Sequence, residues 1–140
     1  VPYQLFPTAD GHAIIACGND RQFAALCQAL DLGDLAADPA FATNPARVGN
    51  RATLCARIAA ATAARTRADI LSVLERAGVP AGPINTVGDA LAEPQIVSRR
   101  LEIELDGIPG LRTPISFSRS SLRLERAAPM LGAGSLSVAE

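Results

Sequence analysis

The sequence predicts an α+β protein, a two-layer sandwich with helices on one face of a mainly antiparallel sheet. Apolar segments of strand length occur in pairs separated by turn residues, a pattern typical of hairpins. Runs with helical periodicity lie between these pairs, which gives the expected order ββ-ααα-β-αα-ββ. No βαβ repetition is present, so the pattern does not indicate a Rossmann fold.

The first hairpin is predicted at the start of the chain. YQLFPT (3–8) has the pattern of an extended strand, and HAIIAC (12–17) is apolar on both faces. Between them, Asp10-Gly11 favours a tight turn, because Gly accepts a positive φ and Asp can bond its own following backbone.

The first helix is predicted to begin at Asp20. Asn19 offers a side-chain oxygen to the first helical turn, and Gln22 occupies the position of the reciprocal partner in a capping box. Apolar residues then recur at i, i+3, i+4 and i+7, namely Phe23, Leu26, Cys27 and Leu30. This stripe should pack on the hairpin. The loop that follows should contain one short turn of helix at 33–37.

A single long helix is expected over 45–65, with Asn44 as its N-cap and Pro45 at its first position. Its predicted inner side consists of Val48, Leu54, Cys55, Ile58 and Ala61. Thr66 and Asp69 form another capping pattern. The helix that they begin should end at Gly78, since a glycine commonly closes a helix.

The elements beyond residue 80 are predicted to be short. We expect a strand at 83–85, a helix capped by Thr86 and Asp89, and another helix opening at Pro94. Apolar residues alternate with glutamates at 101–105, which predicts a half-buried strand. A turn at 106–110 and a last strand at 111–117 complete the pattern, followed by a polar tail.

Composition and charge exclude several classes of function. The 140 residues carry a net charge of −1, with both signs spread along the chain, so nothing favours nucleic acid or an anionic membrane as a partner. Five arginines over 47–67 lack interleaved aromatic residues, and we interpret them as a solvated face or as interdomain ion pairs. No apolar run is long enough to span a membrane, and no leader pattern precedes the first strand. We therefore expect a cytoplasmic location.

The residues alone show no catalytic constellation. Cys17, Cys27 and Cys55 are widely spaced on apolar stripes, which predicts buried thiols in a reducing compartment and no metal site. His12 follows the predicted turn and is expected to face solvent, because no orienting carboxylate or nucleophile accompanies it. The carboxylates fall at turns, caps and solvent faces, and the glycines form no phosphate-binding loop.

Four segments, in the same order and at the same spacing, resemble the small domain of class III CoA-transferases, the CaiB/BaiF family. They are VPYQLFPTADGHAIIACGNDRQFAALCQAL (1–30), DPAFATNPARVGNR (38–51), AGVPAGPINTVGDALAEPQIVSR (77–99) and AAPMLG (127–132). The resemblance covers nearly the whole chain. It departs from the family at LGAGSLSVAE (131–140), where a polar, often histidine-containing stretch is usual.

The resemblance implies that the chain is cut from a longer protein, and Val1 is not an initiator methionine. Residues 1–118 would be the small domain, and 119–140 a linker returning to a large, Rossmann-like domain that binds CoA. Two such subunits would interlock as a homodimer acting on an acyl-CoA and a carboxylic acid. The nucleophilic aspartate would lie upstream of Val1, so this segment would hold no catalytic residue and no metal or cofactor, with CoA and acyl-CoA as substrates of the full-length enzyme.

Tyr3 and Gln4 are the site residues that the resemblance implies, because they directly follow the linker from the large domain. Gln4 would donate to an acyl or carboxylate oxygen, and Tyr3 would pack on the acyl chain. The alternative is that both residues only start the sheet. Arg47, Asn50 and Arg51 match the family's RxxNR pattern, for which we expect loop anchoring more than ligand contact.

Two other functions stay open. The same family contains 2-methylacyl-CoA racemases, which use a histidine and an aspartate of the large domain, although the PYQ start and the GNDRQF segment are more similar to the transferases. The second alternative is a non-catalytic interaction module that retains the fold.

Overall fold

A computed structural model of the chain describes residues 1–132. The chain divides into two compact units at Ile84, here called the N-terminal unit (Val1–Ile84) and the C-terminal unit (from Asn85). The N-terminal unit contains, in order, β1 (Tyr3–Thr8), β2 (Gly11–Ala16), α1 (Asp20–Ala29), α2 (Gly33–Ala37), α3 (Asn44–Gly49), α4 (Arg51–Ala63), α5 (Arg67–Arg76) and β3 (Ala81–Pro83). The C-terminal unit contains α6 (Val87–Ala92), α7 (Pro94–Ser98), β4 (Glu102–Leu105) and β5 (Ile108–Leu111).

The N-terminal unit is a three-stranded antiparallel sheet, in the order β1-β2-β3, covered by helices. Gln4 lies opposite Ile15, and Phe6 lies opposite Ala13. α4 packs against β1, whereas α5 packs against β2 and β3. This arrangement confirms the predicted α+β class.

One apolar cluster fills the space between the sheet and the helices. Its most buried side chains include Phe6, Ile15, Leu26, Leu54, Ile58, Ile70 and Leu74. Full burial of one such side chain contributes roughly 1.5–3 kcal/mol. The cluster contains the predicted α1 stripe, which therefore does lie on the hairpin. Cys17 and Cys27 are buried as predicted, and Cys55 is half-buried.

The predicted N-caps at Asn19, Thr66 and Thr86 are confirmed. Asn19 Oδ1 accepts from the Gln22 backbone N–H at 2.9 Å, and Thr86 forms a full capping box with Asp89. Gln22 Oε1 accepts from the Gly18 N–H at 2.8 Å, one residue before the expected reciprocal position. The helices therefore begin where local side-chain chemistry fixes the first turn.

The prediction of one long helix over 45–65 was wrong. Thr43, and not Asn44, caps α3, and the helical path breaks at Asn50, with φ −105° and ψ 22°. The Asn50 side chain donates from Nδ2 to the carbonyls of Ala40, ten residues earlier, and Ala46, both at 3.1 Å, which holds the chain at the break between the two helices. Val48 of α3 is 55% exposed and does not lie on the inner side as predicted.

Two strands were predicted at the wrong positions. β3 lies at Ala81–Pro83, and not at 83–85, because Pro80 O and Ile84 N–H bond β2 on either side of it. β5 lies at Ile108–Leu111, and not at 111–117. Asp106 and Gly107, with φ 53° and 75°, form a two-residue turn, so pairing with β4 resumes at once.

The predicted tail begins as irregular chain. β5 is the last strand, and no helix or strand follows it up to residue 132. Residues 133–140, which include most of the segment that departs from the family pattern, lie outside the described residues. Across 1–132, no helix has the length and apolar character needed to cross a bilayer.

Candidate functional site

Tyr3 and Gln4 lie together at the beginning of β1, on opposite faces of the sheet. Tyr3 is 70% exposed on the outer face, whereas Gln4 is half-buried on the face that carries the helices. Successive side chains of a strand point to opposite faces, so one strand presents an aromatic surface and an amide at the same end.

Arg47 fastens this end of β1 to two other parts of the N-terminal unit. It is 1% exposed and donates from Nε to Val1 O at 2.8 Å, from Nη1 to Phe41 O at 2.9 Å and from Nη2 to Asp20 Oδ1 at 2.6 Å. Its guanidinium carbon lies 4.5 Å from the centre of the Phe23 ring, a cation–π geometry. The start of β1 is therefore held against α1 and the segment before α3.

Arg51 extends the same arrangement to the Gln4 side chain. It is the first residue of α4, directly after the Asn50 anchor, and its Nη2 donates to Gln4 Oε1 at 2.9 Å. Arg47 and Asn50 thus hold four backbone carbonyls, and Arg51 holds one side chain of β1. The anchoring role expected of the RxxNR pattern fits these contacts.

Asp10, Cys17 and Cys27 have structural roles in the N-terminal unit. The Arg67 backbone N–H donates to Asp10 Oδ1 at 2.6 Å, and this bond, with one from the Thr8 hydroxyl, lowers the pKa of Asp10 below its usual value. Burial raises the pKa of both Cys17 and Cys27 to about 11, so their thiols stay protonated at neutral pH. Neither Asp10 nor the two thiols is an activated nucleophile.

His12 is exposed beside the hairpin turn, as predicted. Within residues 1–132, no three His, Cys, Asp or Glu side chains converge as metal ligands. An open groove of about 510 Å³ lies between α5 and β3, lined by Leu71, Glu75, Gly78, Val79, Pro80, Ala81 and Pro83. It holds a single carboxylate and does not include Tyr3 or Gln4, so it offers no acid–base pair.

Reasoning from periodicity missed the burial of Arg47 and its link to β1. Arginine is rarely fully buried unless it is paired, so Arg47 was assigned with its neighbours to a solvated face or interdomain pairs. The family pattern RxxNR was the one signal that could single it out. The bond between Arg51 and Gln4 joins residues 47 positions apart in sequence, and no local pattern encodes it.

Comparisons with known proteins agree on one family. The model of CoA-transferase family III matches residues 1–135. The chain is 43% identical over 136 residues to a succinate–glutarate CoA-transferase of Agrobacterium fabrum, covering 94% of this chain and 34% of that protein. It is 35% identical over 117 residues to an acetyl-CoA:oxalate CoA-transferase of Acetobacter aceti, covering 84% and 30%.

A solved structure gives the same result. A CaiB/BaiF family protein from Brucella suis is 51% identical and superposes with a TM-score of 0.84, covering 93% of this chain and 34% of that protein. The chain thus spans about a third of the length of the proteins it matches.

Proposed function

Because the chain belongs to CoA-transferase family III, we propose that the complete protein moves CoA between an acyl-CoA and a dicarboxylic acid. The observation that carries this proposal is the similarity to transferases named for succinate, glutarate and oxalate, which extends along most of the chain. All three acids are dicarboxylates, so we assign this substrate class to the complete enzyme.

The chemistry would begin in the large domain. An aspartate there attacks the thioester carbonyl, CoA leaves as a thiolate, and an acyl-aspartyl anhydride forms. The thiolate then attacks the aspartyl carbonyl of the anhydride, which releases the first carboxylate and leaves aspartyl-CoA. The acceptor carboxylate attacks this second thioester, expels the CoA thiolate and forms a new acyl-aspartyl anhydride. The thiolate then attacks the acyl carbonyl of that anhydride, which gives the new acyl-CoA and releases the aspartate carboxylate. Asp10, Cys17 and Cys27, which are held by hydrogen bonds or burial, are not activated for such an attack, and this fits the proposed division of labour.

The N-terminal unit would close over these intermediates. An anhydride hydrolyses readily, so a domain that covers it protects the intermediate by excluding water. In this arrangement Tyr3 packs on the acyl chain, and the Gln4 amide donates to an acyl or carboxylate oxygen. Both residues lie at the end of β1 that Arg47 holds in place.

The exposed apolar side chains of the C-terminal unit indicate a packing partner, for which the large domain is the candidate. Among its described residues, Val87, Val97, Leu111, Ile115, Phe117, Met130 and Leu131 are exposed. Exposed apolar side chains lower their free energy when a partner covers them. We propose that the large domain covers them in a cytoplasmic, interlocked homodimer, with residues 119–140 as the returning linker.

The test is an assay of the full-length enzyme with succinyl-CoA and either glutarate or oxalate as acceptor. Formation of the new CoA thioester, measured by chromatography, is the expected result. Exchange of an α-proton of a 2-methylacyl-CoA, with no new thioester, would instead identify a racemase and overturn the proposal.

A parallel titration of the 140-residue protein with CoA tests the division of labour. No detectable heat is expected, because the CoA site is assigned to the large domain. Micromolar affinity, about −8 kcal/mol, would place the CoA site on this segment and contradict the assignment.

A further inference from the structure

The contact between Arg51 and Gln4 determines which end of the Gln4 amide is available to a ligand. A guanidinium has only N–H donors, so the atom that receives its bond must be the carbonyl oxygen of the amide. Arg51 Nη2 donates to Gln4 Oε1 at 2.9 Å. The amide nitrogen, with its two N–H groups, is therefore turned away from Arg51.

The Gln4 amide nitrogen is free to donate. Within residues 1–132 the Gln4 amide nitrogen has no hydrogen-bond partner. In the same residues, every side-chain nitrogen or oxygen that is shielded from solvent, in a residue that is not itself exposed, has a partner. Since Gln4 is half-buried, its Nε2 must be reachable from outside. An amide NH₂ in this position suits an acceptor such as a carboxylate or carbonyl oxygen.

Both partners of the contact are mounted on rigid elements. Gln4 pairs with Ile15 inside the sheet, next to the Val1 carbonyl that the buried Arg47 holds. Arg51 follows Asn50, whose side chain is bonded to two carbonyls. Because the backbone on both sides is held in place, the hydrogen bond between Arg51 and Gln4 can determine the orientation of the Gln4 amide before a ligand binds.

We infer that Arg51 is a positioning residue, which holds the Gln4 amide with its NH₂ group toward the substrate's carboxylate or acyl oxygen. The inference rests on the proposed CoA-transferase function. In this role Arg51, on α4, does not contact the substrate. It acts by determining which end of the Gln4 amide faces the substrate. Without Arg51, the amide can rotate by 180° and present its oxygen, which repels a carboxylate.

The experiment compares variants of the full-length enzyme in the succinyl-CoA and glutarate assay. Arg51→Met keeps the length of the side chain and removes the donor, and we expect kcat/KM for glutarate to fall about tenfold, the value of one charge-assisted hydrogen bond. Arg51→Glu accepts from the amide NH₂ and so reverses the amide, which should lower kcat/KM further. Arg51→Lys keeps a donor and should stay within about threefold of the wild type.

Arg57→Met is the matched control. Arg57 is an exposed arginine on the same helix, paired with Asp34 at 2.7 Å, and it does not contact Gln4. Wild-type kcat/KM is expected for Arg57→Met. Equal losses in Arg51→Met and Arg57→Met would overturn the inference.

A double-mutant cycle separates positioning from a purely structural role. In a Gln4→Leu background, Arg51→Met should cause no further loss, because the group that Arg51 orients is absent. A full additional tenfold loss in that background would contradict the inference. An inactive wild-type enzyme would instead refute the proposed function, so the two failures are distinguishable.

Discussion

The two units of the chain differ in how many buried side chains pack between their helices and strands. In the N-terminal unit the helices and strands enclose fully buried side chains, among them Phe6, Leu26 and Leu54. The described part of the C-terminal unit, 85–132, forms two capped or proline-initiated helices and a hairpin, yet none of its residues is buried. Local signals can thus specify elements in both units, but within residues 1–132 the burial that makes elements cooperative is found in the N-terminal unit.

Separating the units should give the largest effect. We expect residues 1–84 to unfold cooperatively in urea, whereas residues 85–140 alone should show no cooperative transition, because helices of six and five residues without a core are marginal in water. Circular dichroism during urea titration of the two fragments measures this. A sigmoidal transition of the 85–140 fragment would show that the C-terminal unit has its own core and would remove the contrast.

Matched phenylalanine truncations should sharpen the contrast within the intact chain. Phe6 is fully buried and Phe117 is 57% exposed. Phe6→Ala should lower the free energy of unfolding by about 3–5 kcal/mol, since it leaves a cavity. Phe117→Ala should change that free energy by less than about 0.5 kcal/mol. Urea unfolding monitored by circular dichroism checks both values, and similar losses would contradict the assignment of the core.

Arginine replacements test the same contrast for polar contacts. Arg47→Met should destabilise by roughly 2–4 kcal/mol, because it leaves the carbonyls of Val1 and Phe41 without their donors. Its pairing with Asp20 adds little, since that carboxylate is largely exposed. Arg99→Met removes one exposed contact with Gln95 and should stay within about 0.5 kcal/mol. The midpoint temperatures of thermal unfolding measure both effects. Equal midpoints for the Arg47→Met and Arg99→Met variants would contradict the structural role assigned to Arg47.

Alkaline pH should lower the free energy of unfolding of the N-terminal unit through its two buried thiols, with no such effect near neutral pH. Burial raises the pKa of Cys17 and Cys27 from 9.0 to about 11, so the folded state favours the protonated thiols. Their contribution to stability is complete below pH 9 and is lost as the pH rises through 11, because the unfolded chain ionises first. Urea midpoints at pH 8 and pH 10.5 should differ less in a Cys17→Ala/Cys27→Ala variant than in the wild type. An identical pH dependence would show that the thiols are not the cause.

Local chemistry explains the parts of the fold that the sequence predicted. The Asp10-Gly11 turn, the Asn19, Thr66 and Thr86 caps and the apolar stripe of α1 depend on residues a few positions apart, so their outcome follows from short-range bonding and periodicity. The placement of Tyr3 and Gln4 at the start of a strand was predictable for the same reason. Their role in substrate binding stays a prediction.

Tertiary structure decided what those patterns could not. Asn50 lies at the break in the predicted long helix, where its side chain bonds a carbonyl ten residues away. Arg47 is buried because oxygens of Val1, Asp20 and Phe41, brought together by folding, accept from its donors. β3 takes its position at Ala81–Pro83 from pairing with β2, and its own sequence did not predict that position. The sequence by itself therefore determined the family, the α+β class and the caps at Asn19, Thr66 and Thr86, whereas five helices, and not the three expected, lie between β2 and β3. The tertiary structure decided which polar side chains are buried and which atom of Gln4 is presented, because those outcomes depend on partners brought together by folding.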